Sequence, residues 1–126
     1  MPGRKEEPVS TKPRVLIVED EPLIAMMLED FLAALDLDIA GTADTSEAAI
    51  KLIETADVTA AVLDVNLRRG EKSWPVADAL VARGTPFLFA SGGDDSDIPP
   101  AYADHPVLPK PFTMDGITQA LQRLGI

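Results

Sequence analysis

The 126-residue chain contains no cysteine. That excludes disulfide scaffolds, thiol catalysis and cysteine-based metal sites, and it agrees with a reducing compartment. Histidine is nearly absent too. The single one, His105, stands between Asp104 and Pro106 with no second His or Cys to join it, so it is a poor zinc ligand and is expected on a surface loop. No apolar stretch approaches the roughly 20 residues needed to span a bilayer. The opening MPGRKEEPVSTKPR lacks the apolar core of a secretory signal, and residues 1–13 read as a flexible polar arm. Positive charge is also scarce: 11 Lys and Arg stand against 21 Asp and Glu, for a net charge of −10 and a pI near 4.3. Such a chain repels the phosphates of nucleic acid and anionic lipid, so neither nucleic acid nor membrane is expected as a partner. A cytoplasmic location is expected.

What is present is the material of one core. With 46% hydrophobic and 25% charged residues, the chain has the composition of a single globular domain, expected over 14–126, and no room for an output domain beside it. From Arg14 onward, short apolar runs alternate with segments of helical period, five units in all, which is the pattern of an α/β fold with a parallel sheet.

Val15-Leu16-Ile17-Val18 is too short for a buried helix and rich in β-branched residues, so it reads as a central strand. Pro22 then suits a helix start, and Leu23, Ile24, Met27, Phe31 and Leu35 recur with helical spacing on one predicted inner face. A second strand is expected over 37–42. Asp44 followed by Glu47 resembles an acidic capping box ahead of Ala49, Ile50 and Ile53. The third strand is expected over 60–63, ending at Asp64. Ser73-Trp74-Pro75 opens a helix with Val76 and Leu80 inward and Gly84 as its stop, and 87–90 is the fourth strand. From Gly92 to Pro106 the sequence is polar and carries three prolines, which leaves room for only a turn or two of helix near Ala101-Tyr102. Val107-Leu108 forms a brief fifth strand, and Thr113 caps a last helix with Ile117, Leu121 and Leu124 inward and Gly125 at its end. Trp74 and the Met26-Met27 pair read as core or groove-filling residues.

Open doubly wound sheets bind ligands outside the carboxyl ends of their strands. Here the first strand ends in Glu19-Asp20, the third in Asp64, the fourth in Ser91, and the fifth runs into Lys110-Pro111. Each residue alone has an ordinary reading: the acids as helix caps, Ser91 as a turn residue, Lys110 as a solvated charge. Their joint arrival at four strand ends is what points to a site. Three carboxylates brought together repel one another unless a cation sits among them, and all-oxygen ligands select a hard ion such as Mg²⁺. One carboxylate can then act as a nucleophile toward phosphorus, with Lys110 neutralising charge on the transferred group and Ser91 hydrogen-bonding a phosphoryl oxygen.

Four motifs, Val18-Glu19-Asp20-Glu21, Val62-Leu63-Asp64-Val65-Asn66-Leu67, Phe89-Ala90-Ser91-Gly92 and Leu108-Pro109-Lys110-Pro111-Phe112, stand in this order over everything from about Arg14 onward. In this the sequence resembles the receiver domains of two-component response regulators. The resemblance implies a flavodoxin-like doubly wound (β/α)5 fold with strand order 2-1-3-4-5 and a short or irregular fourth helix. It implies Asp64 as phosphoacceptor and Glu19, Asp20, Asp64 and the Asn66 carbonyl as the Mg²⁺ site. It implies that Ser91 and Lys110 contact the phosphoryl group, and that Lys110-Pro111 is a cis bond. A histidine kinase or a histidine phosphotransfer protein would supply the phosphoryl group, and the product would signal by binding another protein or serve as a phosphate reservoir, as a monomer or a phosphorylation-dependent dimer. The aromatic switch residue usual three positions before the lysine is replaced by Val107. Phe89-Ala90-Ser91-Gly92-Gly93 resembles the Phe-Ala-Thr-Gly motif of a subgroup, sometimes called FAT GUY, that lacks that aromatic and often has no effector domain; Asp94 stands where it would carry Tyr.

Two other classes share some of these residues. A Mg²⁺-dependent phosphohydrolase with an aspartyl-phosphate intermediate needs a second acid two residues after its nucleophile, where this chain has Asn66. A pseudo-receiver that binds partners without being phosphorylated usually lacks the acceptor, the lysine or the acid pair, and this chain keeps all three. The receiver reading explains the motifs better than either, and it implies a protein that is not an enzyme beyond self-phosphorylation and autodephosphorylation on Asp64.

Overall fold

Four apolar residues in succession, two of each parity, make a strand that needs cover on both of its faces. In the computed structural model, which describes residues 12–67, 70–92, 98–102 and 104–126, β1 (Arg14–Val18) has that cover. Leu16 and Val18 face one apolar layer, Val15 and Ile17 the other. The remaining elements follow in alternation: α1 (Pro22–Ala34), β2 (Asp38–Ala43), α2 (Ser46–Thr55), β3 (Ala60–Asp64), α3 (Trp74–Ala82), β4 (Phe87–Ser91), a 3₁₀ turn (Pro100–Tyr102), β5 (Val107–Pro109) and α4 (Met114–Arg123). The strands form one parallel sheet in the order β2-β1-β3-β4-β5. The parallel sheet is as the alternation predicts, and the doubly wound order is the one the resemblance implies, reversing between β1 and β3.

The two layers divide the helices cleanly. Ala25, Leu28 and Leu32 of α1 and Ile117, Ala120 and Leu121 of α4 pack on Val15, Ile17, Val62, Leu88 and Leu108. Ala49 and Ile53 of α2 and Val76, Ala77 and Leu80 of α3 pack on Leu16, Leu63, Phe87 and Phe89. Tyr102, from the 3₁₀ turn, completes the second layer.

Several expectations shift. Of the inner face expected for α1, Ile24, Phe31 and Leu35 pack partly buried against the layer, but its fully buried centre is Ala25, Leu28 and Leu32; Leu23 is 76% exposed and Met27 42%. The reason is that α1 is apolar nearly all round, so periodicity alone offers two stripes, and the one containing the small Ala25 faces the sheet. Met26 and Met27 are therefore exposed rather than core. The cap of α2 is Thr45, whose hydroxyl accepts from Ala48 N at 3.1 Å, in place of Asp44. Both side chains can cap, and the helix begins one residue later than the acid pair implied. Strand β2 is likewise displaced by one residue. His105 is half-buried, its ring stacked on Phe87 at a centroid distance of 4.0 Å, because the short 3₁₀ connection folds back onto the sheet. Thr113 caps α4 by accepting from Gly116 N at 3.0 Å, and Gly84 and Gly125 take positive φ at the helix ends as expected. Of the N-terminal arm, only Lys12 and Pro13 belong to the described residues; Gly93 and Asp94 lie outside them as well.

The assignment of the α1 face is directly testable by urea denaturation. Leu28→Ala is expected to cost about 3 kcal/mol, the usual loss for a large core residue, and Met27→Ala to stay within about 0.5 kcal/mol, as at surface positions. Equal losses at the two positions would mean that the helix is rotated from the orientation described.

Candidate functional site

The register of the central strands carries their ends to a common level. Val18 is paired with Leu63, Asp64 with Ala90, and Ser91 with Pro109. The residues that follow, Glu19 after β1 and Lys110 after β5, therefore emerge on the same rim as Asp64 and Ser91, on strands that neighbour one another at about 4.8 Å. Backbone bonds hold the rim together: Val65 N donates to Ala90 O at 3.1 Å and Lys110 N to Ser91 O at 2.9 Å. The Lys110-Pro111 bond is cis, as expected.

Glu19, Asp20 and Asp64 each bring a carboxylate oxygen within 4.8 Å of the others. Lys110 closes the group, its ammonium lying 3.1 Å from Glu19 Oε1 and 3.2 Å from Asp64 Oδ2. The contact with Glu19 is charge against charge rather than a well-aligned hydrogen bond. On its other side Glu19 accepts from Glu21 N at 3.2 Å, and Asp64 Oδ1 accepts from Asn66 N at 3.4 Å. Glu19, Asp64 and Ser91 are buried, Asp20 is half-buried and Asn66 is exposed.

Electrostatics here are strained in a specific direction. Burial first, and then the Asp64 carboxylate, push Glu19 up to about 7 from its ordinary 4.5, against the opposing pull of the Glu21 N–H and Lys110. For Lys110, burial acts to lower the pKa, but the facing Asp64 and Glu19 carboxylates outweigh it and hold the group above its ordinary 10.5. With all four groups ionised, two negative charges remain uncompensated. The chemistry of this donor set, three carboxylates without sulfur or nitrogen, fits a hard divalent cation of the Mg²⁺ type.

The structure thus brings together Glu19, Asp20, Asp64 and Lys110, sets Ser91 beside them on the neighbouring strand, and attaches Asn66 through its backbone amide. Sequence reasoning did not single out Lys72 or Glu71. Lys72 donates to the side-chain oxygen of Asn66, and Glu71 accepts from the Ser46 backbone at the start of α2 at 3.3 Å. A fold-back within the β3–α3 loop creates both contacts, and such a loop has no periodicity from which to read them.

An acid trio with a lysine on the rim of a 2-1-3-4-5 parallel sheet defines a receiver-type signalling domain. The profile of the response regulator receiver domain matches residues 15–122, and the chain belongs to that family of two-component signalling domains. Among solved structures it is similar to SdrG from Sphingomonas melonis Fr1, 56% identical, with 94% of this chain and 100% of that one covered at a TM-score of 0.83. The BeF3-activated conformation of SdrG from Pseudomonas melonis Fr1 is 55% identical, with 93% and 100% covered at a TM-score of 0.80. The receiver domain of the PhyR response regulator from Erythrobacter litoralis is 30% identical, with 90% and 89% covered at 0.77. No curated protein matches the chain.

The raised Glu19 group makes a pH prediction. A carboxyl group whose pKa is raised by folding contributes stability that is complete below 4.5 and is lost as pH rises toward 7. The Lys110 contribution is complete below 10.5 and is lost only above it, outside this range. Without divalent cation the thermal midpoint is expected to fall between about pH 5 and pH 7.5, and Glu19→Gln to flatten that fall. Mg²⁺ at tenfold its Kd should raise the midpoint by about 4 °C at the higher pH, from about 1.4 kcal/mol of linkage, and by less at the lower. A midpoint indifferent to Mg²⁺ at both pH values would contradict this account of the acid cluster.

Proposed function

We propose that the protein is a stand-alone response regulator that accepts a phosphoryl group on Asp64 and signals by changing which protein it binds. The observation that carries this reading is the Lys110 ammonium shared between Glu19 and Asp64 at 3.1 and 3.2 Å, inside a cluster of three carboxylates. A nucleophilic acid held beside a fixed cation is what attack on an anionic phosphoryl group requires. The existence of a BeF3-activated conformation of a 55% identical protein, matched over its whole length, supports the same reading.

In the proposed reaction, a carboxylate oxygen of Asp64 attacks phosphorus on a phosphohistidine donor whose imidazole is protonated on its other ring nitrogen, the P–N bond breaks with its electron pair going to nitrogen, and neutral imidazole departs. Lys110 loses an ionised Asp64 oxygen as its partner and gains the phosphoryl oxygens, so its charge follows the group being transferred. Ser91 donates its hydroxyl to a phosphoryl oxygen from the neighbouring strand end. Glu19, Asp20, Asp64 and the Asn66 carbonyl would hold Mg²⁺. Bound there, the ion supplies Lewis-acid neutralisation of the phosphoryl oxygens.

The donor is a sensor histidine kinase or a histidine phosphotransfer protein, and the readout is a protein partner or use as a phosphate reservoir, by a monomer or a phosphorylation-dependent dimer. The strongly acidic surface argues against nucleic acid and membrane, and among the described residues no helix is long and apolar enough to cross a bilayer, in keeping with work in the cytoplasm. Membership of the FAT GUY subgroup accounts for Val107 at the usual aromatic position. In its place an aromatic layer lies behind β4: Trp74 stacks on Tyr102 at 5.9 Å and meets Phe89 edge-on at 5.6 Å, while the Tyr102 hydroxyl donates to Asp78. Asn66 in place of a second acid disfavours the phosphohydrolase alternative.

Incubation with Mg²⁺ and acetyl phosphate is expected to add one hydroxylamine-labile phosphoryl group by intact mass, and Asp64→Asn to abolish it without unfolding the chain. Labelling of Asp64→Asn at the wild-type rate would overturn the acceptor assignment. Lys110→Ala is expected to keep Mg²⁺ binding, read by titration, and to lose phosphorylation or the response to it.

A further inference from the structure

We infer that Lys72 is a positioning residue that lengthens the life of the Asp64 acyl phosphate by fixing the orientation of the Asn66 side chain. The inference rests on the phosphoacceptor reading given above. Its observation is the fold-back of the β3–α3 loop. Asn66 and Lys72 face each other in an antiparallel bridge, Leu67 N donates to Glu71 O at 2.6 Å, and Ser73 N donates to Val65 O at 3.2 Å. Side chains directly opposite in such a bridge share one face of the ribbon, with their Cβ atoms about 5 Å apart. Glu71 ties the ribbon to the start of α2 through Ser46 N. The Lys72 ammonium accordingly reaches the Asn66 carboxamide and donates to its Oδ1. Asn66 is itself anchored beside the acceptor, its backbone N–H directed at Asp64 Oδ1.

A carboxamide has one end that accepts and one that donates, and nothing but its partners decides which end faces where. Lys72 has donors only, so it holds the oxygen and rejects the flipped form, in which NH₂ would confront an ammonium. With its oxygen held, the carboxamide has only its donor end to offer a water that enters over Asp64. Hydrolysis of the acyl phosphate needs a water whose lone pair points at phosphorus. The water oxygen bonds to phosphorus, the phosphorus–oxygen bond to Asp64 breaks, the Asp64 carboxylate departs, and the phosphate leaves with both water hydrogens before ionising to solvent. An acceptor beside that water would take a hydrogen bond from it, raising the electron density on its oxygen and aiming a lone pair at phosphorus. A donor instead occupies one of the two lone pairs and draws density away, and so slows attack. Fixing Asn66 as a donor therefore protects the phosphorylated state, and removing Lys72 lets the carboxamide turn its oxygen inward.

The test loads full-length wild-type and variant proteins with acetyl phosphate at saturating Mg²⁺, removes the donor, and follows the loss of the adduct by intact mass. Lys72→Met is expected to speed dephosphorylation about fivefold, the rate equivalent of one exposed hydrogen bond, with loading and thermal midpoint unchanged. Lys72→Arg should restore the slow decay. In an Asn66→Ala background, Lys72→Met should have no further effect. Decay of Lys72→Met within twofold of wild type overturns the inference. So does an equal acceleration in the Asn66→Ala background, which would assign Lys72 a through-space charge effect rather than a positioning role. Absence of any adduct on the wild-type protein overturns the phosphoacceptor reading itself, and is distinguished from the other two outcomes because those require normal loading.

Discussion

The crowding of carboxylates around Lys110 is the constraint from which the rest of this structure follows. Glu19 and Asp64 are both buried, and two buried acids beside a third are tolerable only with a fixed cation between them. Lys110 can reach them only because β5 runs parallel to β4 in a register that brings Ser91 level with Pro109. Asp64 is level with the acids of β1 only because β3 lies directly beside β1. The strand order is thus part of the site. An order that moved β5 further from β3 would add at least one strand spacing of about 4.8 Å between the lysine and the acids, and a buried carboxylate would be left uncompensated.

The apolar layers serve the same end. Each central strand is buried on both faces, so its register cannot slip without turning Leu16, Leu63 or Phe89 out of one layer and into the other. That rigidity holds the polar rim in place. The helices are free to be less exact on their outer sides. α1 shows it most plainly, burying Ala25, Leu28 and Leu32 while leaving Leu23, Met26 and Met27 exposed. Burial stabilises one side of the helix, and the other contributes little to the fold.

Most of the architecture was legible in the alternation of short apolar runs with helical segments, and the rim residues were legible because each closes a run: Asp64 after Ala60-Ala61-Val62-Leu63, Ser91 after Phe87-Leu88-Phe89-Ala90. What escaped the sequence did so for identifiable reasons. The buried stripe of α1 is ambiguous in a helix that is apolar around most of its circumference. Thr45 and Asp44 are both competent caps, and only the path of the chain out of β2 decides between them. His105 carries no pattern at all. Its place against Phe87 depends on the tertiary return of the 3₁₀ segment across β4. The pairing of Asn66 with Lys72 depends in the same way on a loop doubling back on itself.

These last two cases have a common logic. The polar connections after β3 and β4 leave the acceptor rim and return to the sheet, and each returns through a side-chain contact that local sequence does not announce: Lys72 with Asn66 on one, Tyr102 with Asp78 and Trp74 on the other. The connection after β3 carries the residues that stand next to Asp64, and its Asn66 N–H donates to Asp64 Oδ1. The connection after β4 departs from the strand that ends in Ser91 and packs its aromatic rings against Phe87 and Phe89, so a displacement of that strand end is felt by the aromatic layer behind it. The rim gathers Glu19, Asp20, Asp64 and Lys110, and the returns fix what stands around them: Lys72 on Asn66 on one side, and the Tyr102 ring against Phe87 and Phe89 on the other.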